Sequence, residues 1–421
     1  MLDRWMRLLE NYIHTNAEQM MREPAGILTH PYTVPSSPDS PYYSTTLWDW
    51  DSWFTSVALG QVESDTNQKG RFATYEEGVI LNFLDHTDED GVMPILLKPD
   101  GPMLHGDPSR AGGFSENMHK PVIAQQAALL TQRRGDAAWI RPHMDALGRF
   151  LERYLESHIH AETGLAYWQS DFAVGVDNDP SVYYRPAKSS AAIYLNSLLY
   201  RELLAYGYLL EECGRKADAN HWRGKAQDLA DAANTYLWDE RDGTFYSADL
   251  GLRPIDTEDW LHAGAPRHWS SVILRIDNWS SFLPLWAGFA SQEQAERMVA
   301  RYRETRTFNA NYGVRTLSRL EKQYDLRASN NPSNWLGPIW GISNYMVFRG
   351  LAKYGFHEDA RELAEKTVRL FGQDLETNGS LHEYYHPDSG EPIMTKGFQN
   401  WNFLVLQMIA YLEGRPMVTE F

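Results

Sequence analysis

The sequence predicts an all-α fold, an (α/α)₆ barrel with long loops and a few short strands gathered on one face. About twelve segments carry a 3.6-residue apolar period, starting near residues 2, 50, 72, 120, 137, 188, 216, 279, 291, 338, 356 and 400. Twelve helices joined as successive hairpins suit six inner and six outer helices in a closed ring. No Pro/Gly/Ser-rich linker divides the chain, so residues 1–421 are expected to form a single domain.

Individual segments support that reading. After Ser189 and Ser190, which are candidate caps, Leu195, Leu199, Leu203, Tyr206 and Leu210 fall at helical spacing, and Gly214 is a natural stop. A second helix carries Ala360, Leu363, Ala364, Thr367, Leu370 and Phe371 on one stripe. Glu358, Arg361, Glu362, Glu365 and Lys366 lie on the opposite side, so it should face solvent. The last segment, from about Asn402 to Leu412, is apolar nearly all round and reads as an inner helix. Long connections at roughly 23–47, 88–118, 159–187, 239–278, 305–337 and 378–399 separate some of these segments. Loops of that length without low-complexity composition usually carry function. In a ring of helix pairs, alternate connections emerge on one face. Distant loops then converge over one pit, with short strands such as Thr244-Phe245 among them.

Composition narrows the possible ligands. A hydrophobic fraction of 43% excludes disorder for the bulk of the chain. The formal charge of -17 repels nucleic acid and anionic membranes at long range, which favours a small or neutral ligand. No stretch is long and apolar enough to span a bilayer, and no disulfide is available to the one cysteine, Cys213. The start, Met1-Leu2-Asp3-Arg4-Trp5-Met6, lacks the pattern of a secretory signal, so a cytosolic protein is expected. Fifteen tryptophans and twenty-three tyrosines serve either a large core or the flat C–H faces of sugar rings.

Two carboxylates stand in unusual loop contexts. Asp177 lies in Gly175-Val176-Asp177-Asn178-Asp179-Pro180-Ser181, and Glu383 lies among aromatics before Pro387-Asp388-Ser389-Gly390. A pair of carboxyl groups flanking a bond is what glycoside hydrolysis needs. Taken singly, each reads at least as well as a turn, cap or strand residue. Asp51, in Trp48-Asp49-Trp50-Asp51, caps a helix or grips sugar hydroxyls beside a stacking ring. His382 and His386 are four apart, but Pro387 and Gly390 argue against a helical metal pair. The run 239–243 is better read as a β-turn than as a calcium loop. No phosphate-binding or dinucleotide fingerprint is present, and no metal or cofactor is expected.

In order and spacing, these motifs resemble the catalytic domain of glycoside hydrolase family 63. The elements that carry the resemblance are Trp50-Asp51-Ser52, Lys120-Pro121, Gly175-Val176-Asp177-Asn178-Asp179-Pro180, Tyr194-Leu195-Asn196, Tyr312-Gly313-Val314-Arg315, Asn334-Trp335-Leu336-Gly337-Pro338-Ile339-Trp340 and Glu383-Tyr384-Tyr385-His386-Pro387. It implies an inverting α-glycoside hydrolase, an exo-acting α-glucosidase or α-mannosidase, with Asp177 as general acid and Glu383 as general base. Trp50, Asp51, Trp335, Gly337, Trp340 and Trp401 would form the terminal-sugar pocket. Lys120 and Arg185, with Lys188, Arg267 and Lys396 nearby, are candidates to hold a small carboxylate such as glycerate. Leu336, Tyr194, Lys120 and Asn402 depart from the family's usual residues and leave the substrate open between a disaccharide and a glycosylglycerate. The alternatives are an N-acylglucosamine-type epimerase on the same barrel and a non-catalytic sugar-binding protein.

Overall fold

The computed structural model describes residues 1–103, 117–253, 267–327 and 333–421, so parts of the loops at 88–118, 239–278 and 305–337 lie outside the described residues. Among the described residues there are twelve α-helices, and they alternate between an outer and an inner layer. The first two pairs are α1 (Leu2–Asn16) with α2 (Asp49–Thr66), and α3 (Ala73–Asp85) with α4 (Ile123–Arg134). Next come α5 (Met144–Ser157) with α6 (Ile193–Glu212), and α7 (Lys216–Tyr236) with the short α8 (Leu283–Ala287). Then α9 (Gln292–Tyr302) pairs with α10 (Gly341–Lys353), and α11 (His357–Asn378) with α12 (Val405–Glu413). The even-numbered helices touch in sequence, and α12 returns to α2, closing the inner ring of an (α/α)₆ barrel.

Burial explains the layers. In α2 every residue from Asp49 to Glu63 is buried, and in α10 buried residues occupy all sides, so neither presents a polar face to water. Helix α11 instead buries the predicted apolar stripe and leaves Glu358, Arg361 and Glu362 exposed. The buried apolar side chains form one contiguous cluster running from Trp5 to Ile409.

Two local expectations are corrected. Ser189 and Ser190 do not cap α6. Ser190–Ala191 pairs with the strand Ser247–Asp249 instead, and the helix begins at Ile193, whose N–H is met by Ser247 Oγ at 3.2 Å. The cap therefore comes from a segment 54 residues away. The final inner helix begins as a 3₁₀ turn over Asn400–Leu404, which carries Trp401, and becomes regular only at Val405. The 239–243 run is a hairpin turn: Trp238–Asp239 pairs with Thr244–Phe245, and Asp239 accepts the Asp242 N–H at 2.9 Å. Cys213 follows α6 half-buried against the core.

All six long connections predicted from sequence run from an outer helix to the next inner one. They open on one face, where each inner helix has its N-terminus. The reverse connections are short; that between α6 and α7 is only Cys213-Gly214-Arg215. Two-residue strands tie the long loops together, as where Ile339–Trp340 pairs with Tyr384–Tyr385 and brings the Trp340 and Glu383 loops side by side. No helix among the described residues is long and apolar enough to cross a membrane.

Candidate active site

An inner pocket of about 90 Å³ opens at the centre of the loop face. Asp51 reaches it from the first turn of α2, Asp177 from the α5–α6 loop and Glu383 from the α11–α12 loop. Trp50, Trp335, Trp340 and Trp401 wall it, and Lys120 also lines it. Of the residues singled out from sequence as catalytic or as forming the terminal-sugar pocket, all but Gly337 therefore line this one pocket.

The tryptophan wall is a packed unit. Trp335 stacks on Trp340 at 4.0 Å between ring centroids and 8° between planes, and Trp340 stacks in turn on Tyr384 at 4.7 Å. Trp50 meets Trp401 edge-on at 5.4 Å. Gly337 shapes this wall from behind. Its φ of +132° is open to glycine, and a Cβ there would lie 2.3 Å from the Tyr324 ring. Gly175 serves the same end on the other side, since a Cβ would lie 2.9 Å from the Trp50 ring and 2.7 Å from Lys120 Cε.

Two residues next to Asp177 hold its loop in different ways. Asn178 accepts the Trp335 N–H at 2.7 Å and donates to Asn334 Oδ1 at 3.1 Å, joining the loop to the tryptophan wall. Asp179, buried, accepts from the Ser181 N–H at 2.8 Å and from Asn278 Nδ2 at 2.9 Å. These bonds fix the backbone that follows Asp177. Asp177 itself lines both the inner pocket and the chamber beyond it.

Glu383 is almost fully buried, and its N–H donates to Met394 O at 3.0 Å. Burial pushes its carboxyl up to about 7, and the nearby Asp177 charge pushes the same way. A hydrogen bond from Thr395, and one from Tyr43, act against them. The Tyr43 hydroxyl stands 3.5 Å from Glu383 Oε1. Both Tyr43 (φ +63°) and Thr395 (φ +36°) are non-glycine residues in the left-handed region. Such strain persists only where surrounding structure enforces it, and it gathers at working sites. A base poised near 7 is suited to taking a proton at neutral pH. Thr395→Val removes a bond that favours the ionised carboxyl, so the acid limb of the kcat/KM–pH profile is expected to move upward from about 7. An unmoved limb would mean that another group sets it.

Asp51 has a different environment. It is buried beside Asp49, so burial and the neighbouring negative charge raise it to about 8, against the pull of Lys120 and a 2.6 Å bond from Asn400 Nδ2. Protonated at neutral pH, it offers both a donor and an acceptor to a sugar hydroxyl. The charge balance behind it comes from Asp49 and Lys120. Burial alone would raise Asp49, but the Lys120 ammonium at 3.0 Å, His119 and backbone N–H groups hold it below the usual carboxylate range. Lys120 is therefore buried and already engaged, although it lines the pocket.

The other cations that the sequence offered for a carboxylate lie elsewhere. Arg185 pairs with Asp249 and Arg267 with Glu162, while Lys188 and Lys396 are exposed, and none of the four lines either cavity. His382 holds Asp374 at 2.9 Å, whereas His386 Nδ1 accepts from the Asp388 and Ser389 N–H groups. The two imidazoles thus have separate partners. Among the described residues no cluster of His, Cys, Asp and Glu is arranged to hold a metal ion.

The comparison with known families turns this geometry into an assignment. The model of the mannosylglycerate hydrolase MGH1-like glycoside hydrolase domain matches residues 42–401, which include every pocket residue named above. The chain belongs to this glycoside hydrolase family. Its catalytic domain is of the family 63 type, and the protein is a glycoside hydrolase. The mannosylglycerate hydrolase MGH1 of Selaginella moellendorffii is 26% identical over 408 residues, covering 85% of this hydrolase and 78% of the plant protein. The crystal structure of the family 63 mannosylglycerate hydrolase from Thermus thermophilus in complex with glucose superposes with a TM-score of 0.66. It shares 20% identity and covers 96% of this hydrolase and 100% of that chain. The neutral trehalase Nth1 from Saccharomyces cerevisiae gives a TM-score of 0.64 at 16% identity, over 96% of this chain and 80% of that one. Both structural likenesses establish the shared barrel.

Sequence reasoning missed Tyr43, Thr395, Asn178, Asp179, Asn334 and Asn400. Asn178 and Asp179, beside Pro180, and Asn334, at the head of the Trp335–Trp340 element, stood within motifs already singled out, whereas Tyr43, Thr395 and Asn400 did not.

Proposed function

We propose that this hydrolase is an inverting, exo-acting α-glycosidase of the α-glucosidase or α-mannosidase kind, working on a small substrate such as a disaccharide or a glycosylglycerate. Asp177 is the general acid and Glu383 the general base. The observation that carries the reading is the position of the two carboxyls. Both line one small pocket walled by tryptophans, and Asp177 alone of the pair also faces the outer chamber through which a leaving group must depart.

In this reading the terminal sugar packs against Trp335, Trp340 and Trp401, with Asp51 on its hydroxyls. Asp177 gives its proton to the glycosidic oxygen as the bond from that oxygen to the anomeric carbon breaks. A water molecule held by Glu383 attacks the opposite face of that carbon, and Glu383 takes the proton the water loses. The products are the free sugar in the β configuration and the leaving group with its oxygen protonated as a hydroxyl. In such enzymes the carboxyls stand about 6.5–9.5 Å apart, which leaves room for the water. The Tyr43 hydroxyl, close to Glu383 Oε1, is placed to steady that water.

Proton NMR during turnover tests the stereochemistry. The β-anomer is expected first, with the α-anomer growing in only by mutarotation. An initial α-anomer would refute inversion, and isomerised sugar without bond cleavage would favour the epimerase.

A further inference from the structure

Beyond the inner pocket lies a wider chamber of about 700 Å³, formed where the loop at 41–46, the strand Leu96–Lys98 and the two segments around Phe172 and Tyr184 meet. Its walls are unusual in two respects. Among the described residues five aromatic side chains are exposed, and four of them, Tyr42, Phe172, Tyr183 and Tyr184, line this one chamber. Exposed aromatics gathered on one surface mark a binding site far more often than isolated ones do. Of the six described non-glycine residues with left-handed backbone, three also line it: Tyr43, Ala173 and Tyr184.

Tyr184 makes the point sharply. It is 84% exposed, yet its φ is +59° and its N–H is anchored on Asp171 Oδ2 at 2.9 Å. Its ring lies 4.0 Å from that of Tyr183. That contact leaves the Tyr184 ring largely exposed, so packing offsets little of the backbone strain and a ligand is the natural beneficiary.

Charge narrows the ligand further. The charged side chains on the chamber's described wall are Lys98, Asp171 and Asp177, and with Asp177 protonated as the acid Lys98 and Asp171 offset each other, so the wall carries no net charge to favour an ionic ligand. The cations that sequence offered for a carboxylate are paired or outside, and Lys120 is neutralised by Asp49. We infer that the outer chamber is a leaving-group subsite for an uncharged, ring-bearing aglycone, stacked on Phe172, Tyr183 and Tyr184, and not for a small carboxylate. Either a second pyranose or an aromatic ring presents the flat apolar face that such side chains receive. This inference rests on the assignment of Asp177 and Glu383 to the inner pocket.

The test uses one glycone with a graded series of leaving groups. α-Glucosyl and α-mannosyl fluoride, whose leaving group is a single atom, first establish that the inner pocket works and which glycone it takes. The methyl, benzyl, hexosyl and glyceryl-carboxylate α-glycosides of that sugar are then compared by kcat/KM. Benzyl is chosen over phenyl to keep the leaving alcohol in the alkanol range of acidity. The benzyl or hexosyl substrate is expected to exceed the glycerate conjugate by about tenfold or more, the scale of one or two stacking contacts. Which of the two leads identifies the source of the ring. Phe172→Ala and Tyr183→Ala are each expected to reduce the ring-to-methyl ratio several-fold. A glycerate conjugate that equals or beats the ring-bearing substrates, or a ratio unmoved in both variants, overturns the inference while leaving the inner-pocket assignment standing. Failure to hydrolyse either fluoride refutes that assignment, and the subsite with it.

Discussion

Asp177→Asn and Glu383→Gln are each expected to lower kcat on an unactivated α-glycoside by about 10²–10⁴-fold, while both variants stay folded. Each substitution keeps shape and removes one proton function. Their divergence on an α-glycosyl fluoride separates the two roles. Fluoride leaves without a proton, so Asp177→Asn is expected to retain most of its fluoride hydrolysis. Glu383→Gln still lacks the base that activates water and is expected to lose both substrates. The same loss on both substrates for Asp177→Asn would remove its role as acid. Unchanged kcat in either variant would remove that residue from the mechanism. Circular dichroism and urea midpoints guard against unfolding as the cause. Glu383 is nearly fully buried and raised to about 7, so a neutral amide there removes no stabilising charge.

How far the sequence reveals this site depends on the range of the interactions involved. Helices are short-range objects, and their periodicity places α2, α3, α7 and α11 to within a residue or so of where they begin. The start of α6 is less legible because Ser190 is drawn into a strand with a segment nearly sixty residues away, and Ser247 takes over the cap. The two-residue strands are fixed by partners in other loops and leave no alternation to read. The same distinction runs through the site. Asp177 and Glu383 stand out because glycine, proline and aromatics surround them in the chain. Tyr43 reaches Glu383 across 340 positions, Asn400 reaches Asp51 across 349 and Asn178 reaches the Trp335 loop across 157. No local pattern announces such residues. The fate of Lys120 is likewise invisible in sequence, since its partner Asp49 lies 71 residues earlier. A free cation beside the tryptophan-walled pocket and a buried half of an ion pair look alike until the fold is closed.

Glu420→Gln is expected to destabilise the protein by about 3–5 kcal/mol at neutral pH, the usual cost of leaving a buried charge without its partner. The closing segment of the chain runs beneath the barrel, far from the long loops that carry the pocket. Val418 N–H donates to Gln61 Oε1 at 2.7 Å, and Gln61 sits roughly 15 Å along α2 from Asp51. Just beyond, the buried Glu420 carboxylate accepts from the Tyr345 hydroxyl at 2.6 Å and from Arg349 Nε at 3.1 Å. It also offsets the charge of Arg201 on α6. Burial by itself would raise the Glu420 carboxyl, but Arg349, Arg201 and the Tyr345 hydroxyl bring it down to about 2. A carboxyl whose folded value lies below its unfolded value of about 4.3 contributes its stability above that unfolded value. The contribution is lost as pH falls through about 2. Urea unfolding of the two proteins side by side should therefore show a constant gap from about pH 7 down to about 5 and a narrowing gap below about 4. Taking the difference removes the acid sensitivity that both proteins share. A gap under about 1 kcal/mol at neutral pH would mean that Arg201 and Arg349 find other partners or water. A gap independent of pH would assign the loss to packing. Because α6 and α10 bear the tryptophan-lined site at their N-terminal ends and these arginines further along, the same experiment asks whether the ring is held from below.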